Sequence, residues 1–279
     1  MANTWEELEN RCYEYLKRIY GHNNSIEPYG KSDSTKADIK IKSSEGEEFF
    51  VEVKASNSQC CQFVLFPNEE TEQFDFSKRN KVPKSTNCQR IISYMNGLYK
   101  NFCKVGRKGI PVQVDSTILY GLVNDFYTAK KVKFFMTEGK DIIIFPLEKL
   151  SDYFFIEAFY RRKTSGSSEP NEINNNTDII HGLSEENISG SVEYINIGGK
   201  KRCFLHSNEN LNKRRMICEE YTYQFKDNQY SKKISKNKAN VFEVRRLSNT
   251  SNPNVICQLS LKRTLQGKND LQAFENVMK

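Results

Sequence analysis

The chain has 279 residues, 37% of them hydrophobic, 28% charged and 12% aromatic, with 14 Gly and 7 Pro. That composition excludes collagen-like and disordered chains, and the length can bury an ordinary core as one large domain or a domain with a sizeable lobe. The net charge is +7, and the longest apolar run, 142–147, falls far short of the roughly 20 residues that span a bilayer.

In chain order, residues 4–20 read as an amphipathic helix, with Thr4 and Glu7 at capping-box spacing. Strands 36–42 and 48–54 follow, joined by a polar turn at 43–47 that contains Gly46. Segments 62–66 and 73–76 suggest a second hairpin around Pro67 and Asn68. Helices are expected from Ser85 to about 103 and from Asp115 to about 129. Strands 131–136 and 141–145 flank a turn at 137–140, and 153–161 reads as another strand. From 163 to 178 the chain is polar and rich in Ser and Asn, which reads as a loop or linker. Strands at 191–197, 240–247 and 254–262 then suggest a β-rich lobe, closed by a helix near 270–278. The architecture is α/β.

Charge is unevenly spread. Residues 200–279 hold 17 Lys+Arg against 7 Asp+Glu, a balance of +10 that leaves −3 for 1–199. The basic part can follow a polyanion, or simply carry a solvated surface; the acidic part can hold a divalent cation. The eight cysteines form no CxxC, Cys60 and Cys61 adjoin, and His22, His181 and His206 lie far apart. This spacing argues against disulfides and a structural zinc site, and for buried thiols in a reducing compartment. The acidic N-terminal segment lacks the apolar core of a secretory signal. The chain is read as a soluble, cytoplasmic protein without membrane partners.

The chemistry centres on Asp38 and on Val51-Glu52-Val53-Lys54. Residues two apart in a strand share a face, so Glu52 and Lys54 point together while Val51 and Val53 point away. If the hairpin turns symmetrically about Glu45, Asp38 lies opposite Glu52. Cβ atoms of such cross-strand neighbours are about 5 Å apart, close enough for both carboxylates to hold one hard cation. Two carboxylates and a lysine suit metal-assisted phosphodiester hydrolysis. The triplet alone also arises by chance in solvated strands. The first helix adds weight. Trp5, Leu8, Cys12, Tyr13, Leu16 and Ile19 form an apolar arc at helical spacing, and Glu9 falls inside it. A carboxylate on a core-facing stripe is costly unless a lysine or a metal site faces it.

A helix with Glu, then Asp in a strand, then Glu-x-Lys in the next resembles the PD-(D/E)xK nuclease superfamily. Longer stretches are similar to a type II restriction endonuclease: 32–35, 52–60, 62–65, 74–77, 132–135, 144–146, 160–161, 165–167, 205–207 and 247–250. The resemblance implies a nuclease core of a mixed central sheet flanked by helices over 1–162; composition and charge add a polar loop or linker at 163–190 and a basic β-rich C-terminal lobe, involved in DNA binding, over 191–279. The resemblance also implies Mg²⁺-dependent cutting of duplex DNA at a short site, with GCGC expected, and a cognate DNA methyltransferase as functional partner. Asp38 and Glu52 become metal ligands, Lys54 the catalytic lysine and Glu9 the helix glutamate near the metal. Ala37 stands where the superfamily motif has Pro, which supplies no ligand.

Guanine is read mainly by Arg or Lys at O6 and N7. Arg161, Arg162, Lys163 and Ser165 form one candidate reader. His206 and Asn208, followed by Lys213, Arg214 and Arg215, form another, and Gln59 and Gln62 lie just past the catalytic strand, where they can face the DNA or the fold. For each cation the alternative is phosphate contact or solvation, and for His206 a structural hydrogen bond. A structure-selective repair or junction-resolving nuclease and a non-catalytic nucleic-acid-binding protein remain the competing functions.

Overall fold

Helix α1 (Trp5–Tyr20) buries Leu8, Cys12 and Leu16, the stripe that its apolar spacing predicts. Trp5 and Ile19, placed on the same arc from sequence, are 55% and 44% exposed instead, because the stripe narrows at both helix ends. The computed structural model describes residues 5–30, 36–164, 166–197, 199–218, 221–235, 240–248 and 250–279. The expected capping residue Thr4 lies outside them, as do 32–35, Ser165 and Asn249.

The chain continues through β1 (Ser25–Pro28), β2 (Ile39–Lys42), β3 (Glu48–Val53), β4 (Asn57–Asn68) and β5 (Gln73–Phe76). Then come α2 (Thr86–Gly97), α3 (Tyr99–Phe102), β6 (Ile110–Pro111), α4 (Ser116–Ala129), β7 (Val132–Glu138), β8 (Ile142–Pro146), α5 (Leu150–Tyr153) and β9 (Phe154–Thr164). Next are β10 (Ser167–Ser168), α6 (Glu172–Glu185), β11 (Gly190–Ile197), β12 (Lys200–Ser207), β13 (Arg215–Cys218), β14 (Tyr221–Lys226), α7 (Gln229–Ser235) and β15 (Asn240–Leu247). β16 (Ser251–Leu261) and α8 (Lys268–Met278) end it. Ser85 and Asp115 cap α2 and α4, their side chains accepting the amides of Cys88 and Thr117. No helix among the described residues is long and apolar enough to cross a membrane.

The chain divides into two units, 1–162 with 253–279, and 163–252. In the first, a five-stranded sheet runs β1-β2-β3-β7-β8. β3 is central: it pairs antiparallel with β2 and parallel with β7, the latter through a crossover that contains α2 and α4. Ile39 faces Val51 and Lys42 faces Glu48, so the hairpin is symmetric about residue 45. On one side of this sheet, Leu8, Cys12, Leu16, Phe274 and Met278 pack against Phe49, Val51, Val53 and Phe134. On the other, Phe50 and Phe135 join Ile91, Met95, Leu122 and Tyr127 of α2 and α4. A second sheet in this unit runs β5-β4-β16-β9-β6. The turn expected at Pro67 and Asn68 falls later, because β4 stays paired to Asn68 and the chain reverses through Glu72, which adopts a φ of 51°.

In the second unit the sheet order is β11-β12-β15-β14-β13, with β10 beside β15. Ile179 and Leu183 of α6 enter a core with Leu205, Tyr223, Phe225 and Val244.

Two sequence-based boundaries need correcting. Residues 163–190 are not a linker: they form β10 and α6, whose first turn is capped by the Asn171 side chain at the amides of Ile173 and Asn174. A helix with a narrow buried stripe can be polar elsewhere, so its composition resembled a loop. Residues 253–279 do not belong with 191–252 either, because β16 pairs with β4 and α8 packs on the first sheet. Redrawn this way, residues 163–252 hold 14 Lys+Arg and 11 Asp+Glu, a balance of +3. The +10 of the last 80 residues therefore does not describe one structural unit.

Candidate active site

Glu52 lies on the central strand of a sheet covered on both faces, and it is only 3% exposed. Its Oε1 accepts a hydrogen bond from Lys54 Nζ at 2.5 Å, as expected for residues sharing a strand face. Its Oε2 is buried and has no hydrogen-bond partner among the described residues. Asp38 immediately precedes β2, and its Oδ2 accepts the Val53 amide at 2.7 Å. That bond fastens Asp38 to β3 between Glu52 and Lys54. The matched hairpin register thus joins all three residues.

The electrostatics follow from burial and crowding of like charge. Burial pushes the Asp38 carboxyl up to about 6, helped by the charge of Glu52 and opposed by Lys54. Glu9, half-buried on α1, is pushed up to about 8 by burial, then by Asp38, while Lys54 pulls it down. Burial lowers the Lys54 ammonium, but Glu52 and Asp38 outweigh it and hold that pKa above the usual lysine value. Three acidic groups therefore crowd around Lys54, with Lys130 also acting on Asp38. Such a group favours a further cation.

Sequence reasoning missed the wall behind Lys54. The Tyr127 ring of α4 lies 5.8 Å from Lys54 Nζ, and its hydroxyl donates to the Cys60 carbonyl at 2.8 Å. Nothing in local spacing marks Tyr127, which reads as an ordinary core residue of an amphipathic helix. Of the other helix acids, Glu6 and Glu7 are exposed.

The expected DNA-reading residues are divided between the two units, with Gln59, Gln62, Arg161 and Arg162 in the first and Lys163, His206, Asn208, Lys213, Arg214 and Arg215 in the second. Gln59 and Gln62 are exposed and bond to each other at 2.8 Å. Arg161 is exposed, Lys163 half-buried, and Arg162 Nε donates to the Val105 carbonyl at 3.1 Å. His206 Nε2 lies 2.9 Å from Glu193, and Asn208 is exposed. Lys213 and Arg215 are exposed, whereas Arg214 is shared between Glu186 at 3.1 Å and Glu209 at 3.8 Å. Ser165 lies outside the described residues. None of the eight cysteines forms a disulfide.

No curated protein matches the chain. Residues 8–79 match the family described as Protein NO VEIN, C-terminal. That span contains Glu9, Asp38, Glu52 and Lys54. A solved structure described as HhaI endonuclease in complex with DNA is similar over 99% of both chains, with a TM-score of 0.84 and 31% identity. Likeness of that extent carries the nuclease core and the second unit together, so this chain belongs to the HhaI endonuclease family and has its restriction-endonuclease-like fold.

Proposed function

We propose that the protein is a type II restriction endonuclease that makes Mg²⁺-dependent double-strand cuts in duplex DNA at GCGC, in a cytoplasm where a cognate methyltransferase protects host sites. The observation that carries this reading is Glu52, buried at 3% exposure with one oxygen on Lys54 and the other without a hydrogen-bond partner among the described residues. Leaving a buried carboxylate oxygen unmatched costs stability unless something else binds it. A hard divalent cation fits that donor set.

In this reading Asp38 and Glu52 hold the ion. When bound, Mg²⁺ polarises the scissile phosphate and lowers the pKa of a water. Lys54, kept protonated by its two carboxylate neighbours, acts as a fixed positive charge that orients the phosphate and stabilises the charge developing on it. Glu9 still carries a proton near neutral pH and so adds no full negative charge to a crowded cluster. Tyr127 walls off Lys54 from bulk water, which strengthens these interactions. Arg161, Lys163, Ser165, His206 and Asn208 are assigned to base reading with Gln59 and Gln62. Arg162, Lys213, Arg214 and Arg215 are assigned to phosphate.

Digestion of a plasmid of known sequence with Mg²⁺, with the ends mapped, tests the proposal. Discrete fragments ending within GCGC are expected. Cutting of branched DNA alone would identify a structure-selective nuclease, and a gel shift without cutting would identify a binding protein.

A further inference from the structure

The second unit holds a cluster that the nuclease chemistry does not use. His181 and Glu185 are one helical turn apart on α6, and Cys218 ends the sheet-edge strand β13. One donor atom from each lies within 4.8 Å of the others. His181 Nδ1 is 3.8 Å from Cys218 Sγ and 3.7 Å from Glu185 Oε2. The thiol contact is a long hydrogen bond to sulfur, and the His181–Glu185 separation is too long for one. Both separations lie within a few tenths of an ångström of the N···O and N···S edges of a tetrahedron around zinc, about 3.3–3.6 Å for bonds of about 2.0–2.3 Å.

A second observation concerns how the helix reaches the strand. Gly182, next to His181, has no side chain, and a Cβ there would stand 3.0 Å from Cys218 Cβ and from Met216 Sδ. The glycine therefore permits the close approach that sets His181 and Glu185 over Cys218. Burial differs in a way that suits a surface ion. Cys218 is 1% exposed, while the His181 and Glu185 side chains are 61% and 57% exposed. The thiol would hold the ion from inside and leave one position open to solvent.

We infer that His181, Glu185 and Cys218 form a zinc site that clips α6 to β13. Thiolate and imidazole select zinc over magnesium, so this site is chemically distinct from the all-carboxylate cluster at Asp38 and Glu52. Binding forms the Zn–S bond and releases the Cys218 proton to solvent, with no change of oxidation state. Residue spacing argues against zinc because the cysteine comes 37 residues after the histidine, far outside any local ligand motif.

The test uses the full chain, stripped with chelator and titrated with Zn²⁺ by calorimetry, then with Co²⁺ by absorption. One zinc equivalent is expected, with a cobalt–thiolate charge-transfer band and a melting temperature that rises with zinc. His181→Ala and Glu185→Gln, both at exposed positions, should each weaken binding at least about tenfold. Gly182→Ala should weaken it while leaving all three ligands in place. Cys218→Ser should abolish the band. Because that variant can misfold, His181→Ala decides the matter alone. Equal zinc affinity in wild type and His181→Ala, or a cobalt spectrum without the thiolate band, overturns the inference. Either result would place the ion at the carboxylate cluster instead.

Discussion

The two units each bury a glutamate on a central strand beside cations, and they treat it differently. Glu243 on β15 is 4% exposed, close to the 3% of Glu52 on β3. Its Oε1 accepts from Arg202 Nη1 at 2.5 Å and lies 3.5 Å from Arg245 Nη1, while its Oε2 accepts from Asn228. Arg202 is itself held 3.9 Å over the Tyr230 ring. Both oxygens of Glu243 are thus matched within the protein. Glu52 has one lysine and one oxygen left over. Burial of an acid next to a base does not distinguish a structural pair from a reactive one. The distinction lies in whether every lone pair is satisfied from within.

The sharpest way to break this contrast is to neutralise each glutamate. Glu52→Gln should abolish cleavage, a loss of about a thousandfold or more, while leaving the melting temperature unchanged or higher. Lys54→Ala should be comparably inactive yet still bind DNA, with Ca²⁺ supporting binding without turnover. Glu243→Gln should do the opposite. It removes one of the two carboxylates that Arg202 and Arg245 share, leaving them Glu169, costs about 1.5–3 kcal/mol of stability, and preserves the turnover of whatever remains folded. Rates and urea melts on the three variants decide it; a stable but inactive Glu243→Gln would sink the comparison.

A smaller effect is expected at α1. Glu9→Gln should slow cleavage by about a hundredfold, the low end of what one acid–base group contributes. Glu7→Gln, at an exposed position, should cost about 1 kcal/mol or less through the helix end. Steady-state kinetics with thermal melts separates the two.

The pH dependence sharpens the contrast further. Asp38 at about 6 and Glu9 at about 8 have folded values above their ordinary 3.8 and 4.5. The folded state therefore binds more protons than the unfolded one. Stability from these groups is full below about pH 4 and is lost as pH rises through about 6 to 8. Glu169, raised to about 7 chiefly by burial, adds to the same trend. In chelator the protein should melt at a lower temperature at pH 8 than at pH 5. Glu9→Gln should flatten that slope, and Mg²⁺ should restore stability at pH 8. A slope of the opposite sign would remove Glu9 from the cluster.

The smallest expected effect concerns charge. Each phosphate contact contributes about 0.9 to the slope of log K against log salt. Removing Lys213 and Arg214 should lower the slope by about one contact, because Arg214 is already shared between Glu186 and Glu209. Arg161→Ala or Lys163→Ala should instead cost about 1–3 kcal/mol of discrimination between cognate and scrambled duplexes. Binding at several salt concentrations checks both. A drop of two full contacts would mean that DNA displaces the glutamates from Arg214.

What was legible in the residues is what short-range geometry dictates. Alternation put Glu52 and Lys54 on one face, and the symmetric hairpin carried Asp38 beside them. Helical phase brought Glu9 within electrostatic reach of both. The helix at 172–185 was illegible because one buried stripe and a cap suffice to hold an otherwise polar helix. The true units were illegible because the chain leaves the first sheet system near 162 and returns at 253, a contact of long sequence separation.

The sequence by itself determined the hairpin that carries Asp38, Glu52 and Lys54, its register and the family resemblance, since each depends on residues within one hairpin or on ordered similarity along the chain. Tertiary structure alone decided that Glu52 is sealed on both faces, with Tyr127 of α4 behind Lys54. It alone brought His181 and Glu185 to Cys218. Burial and donor-atom geometry arise from packing between distant elements, and no local periodicity encodes them.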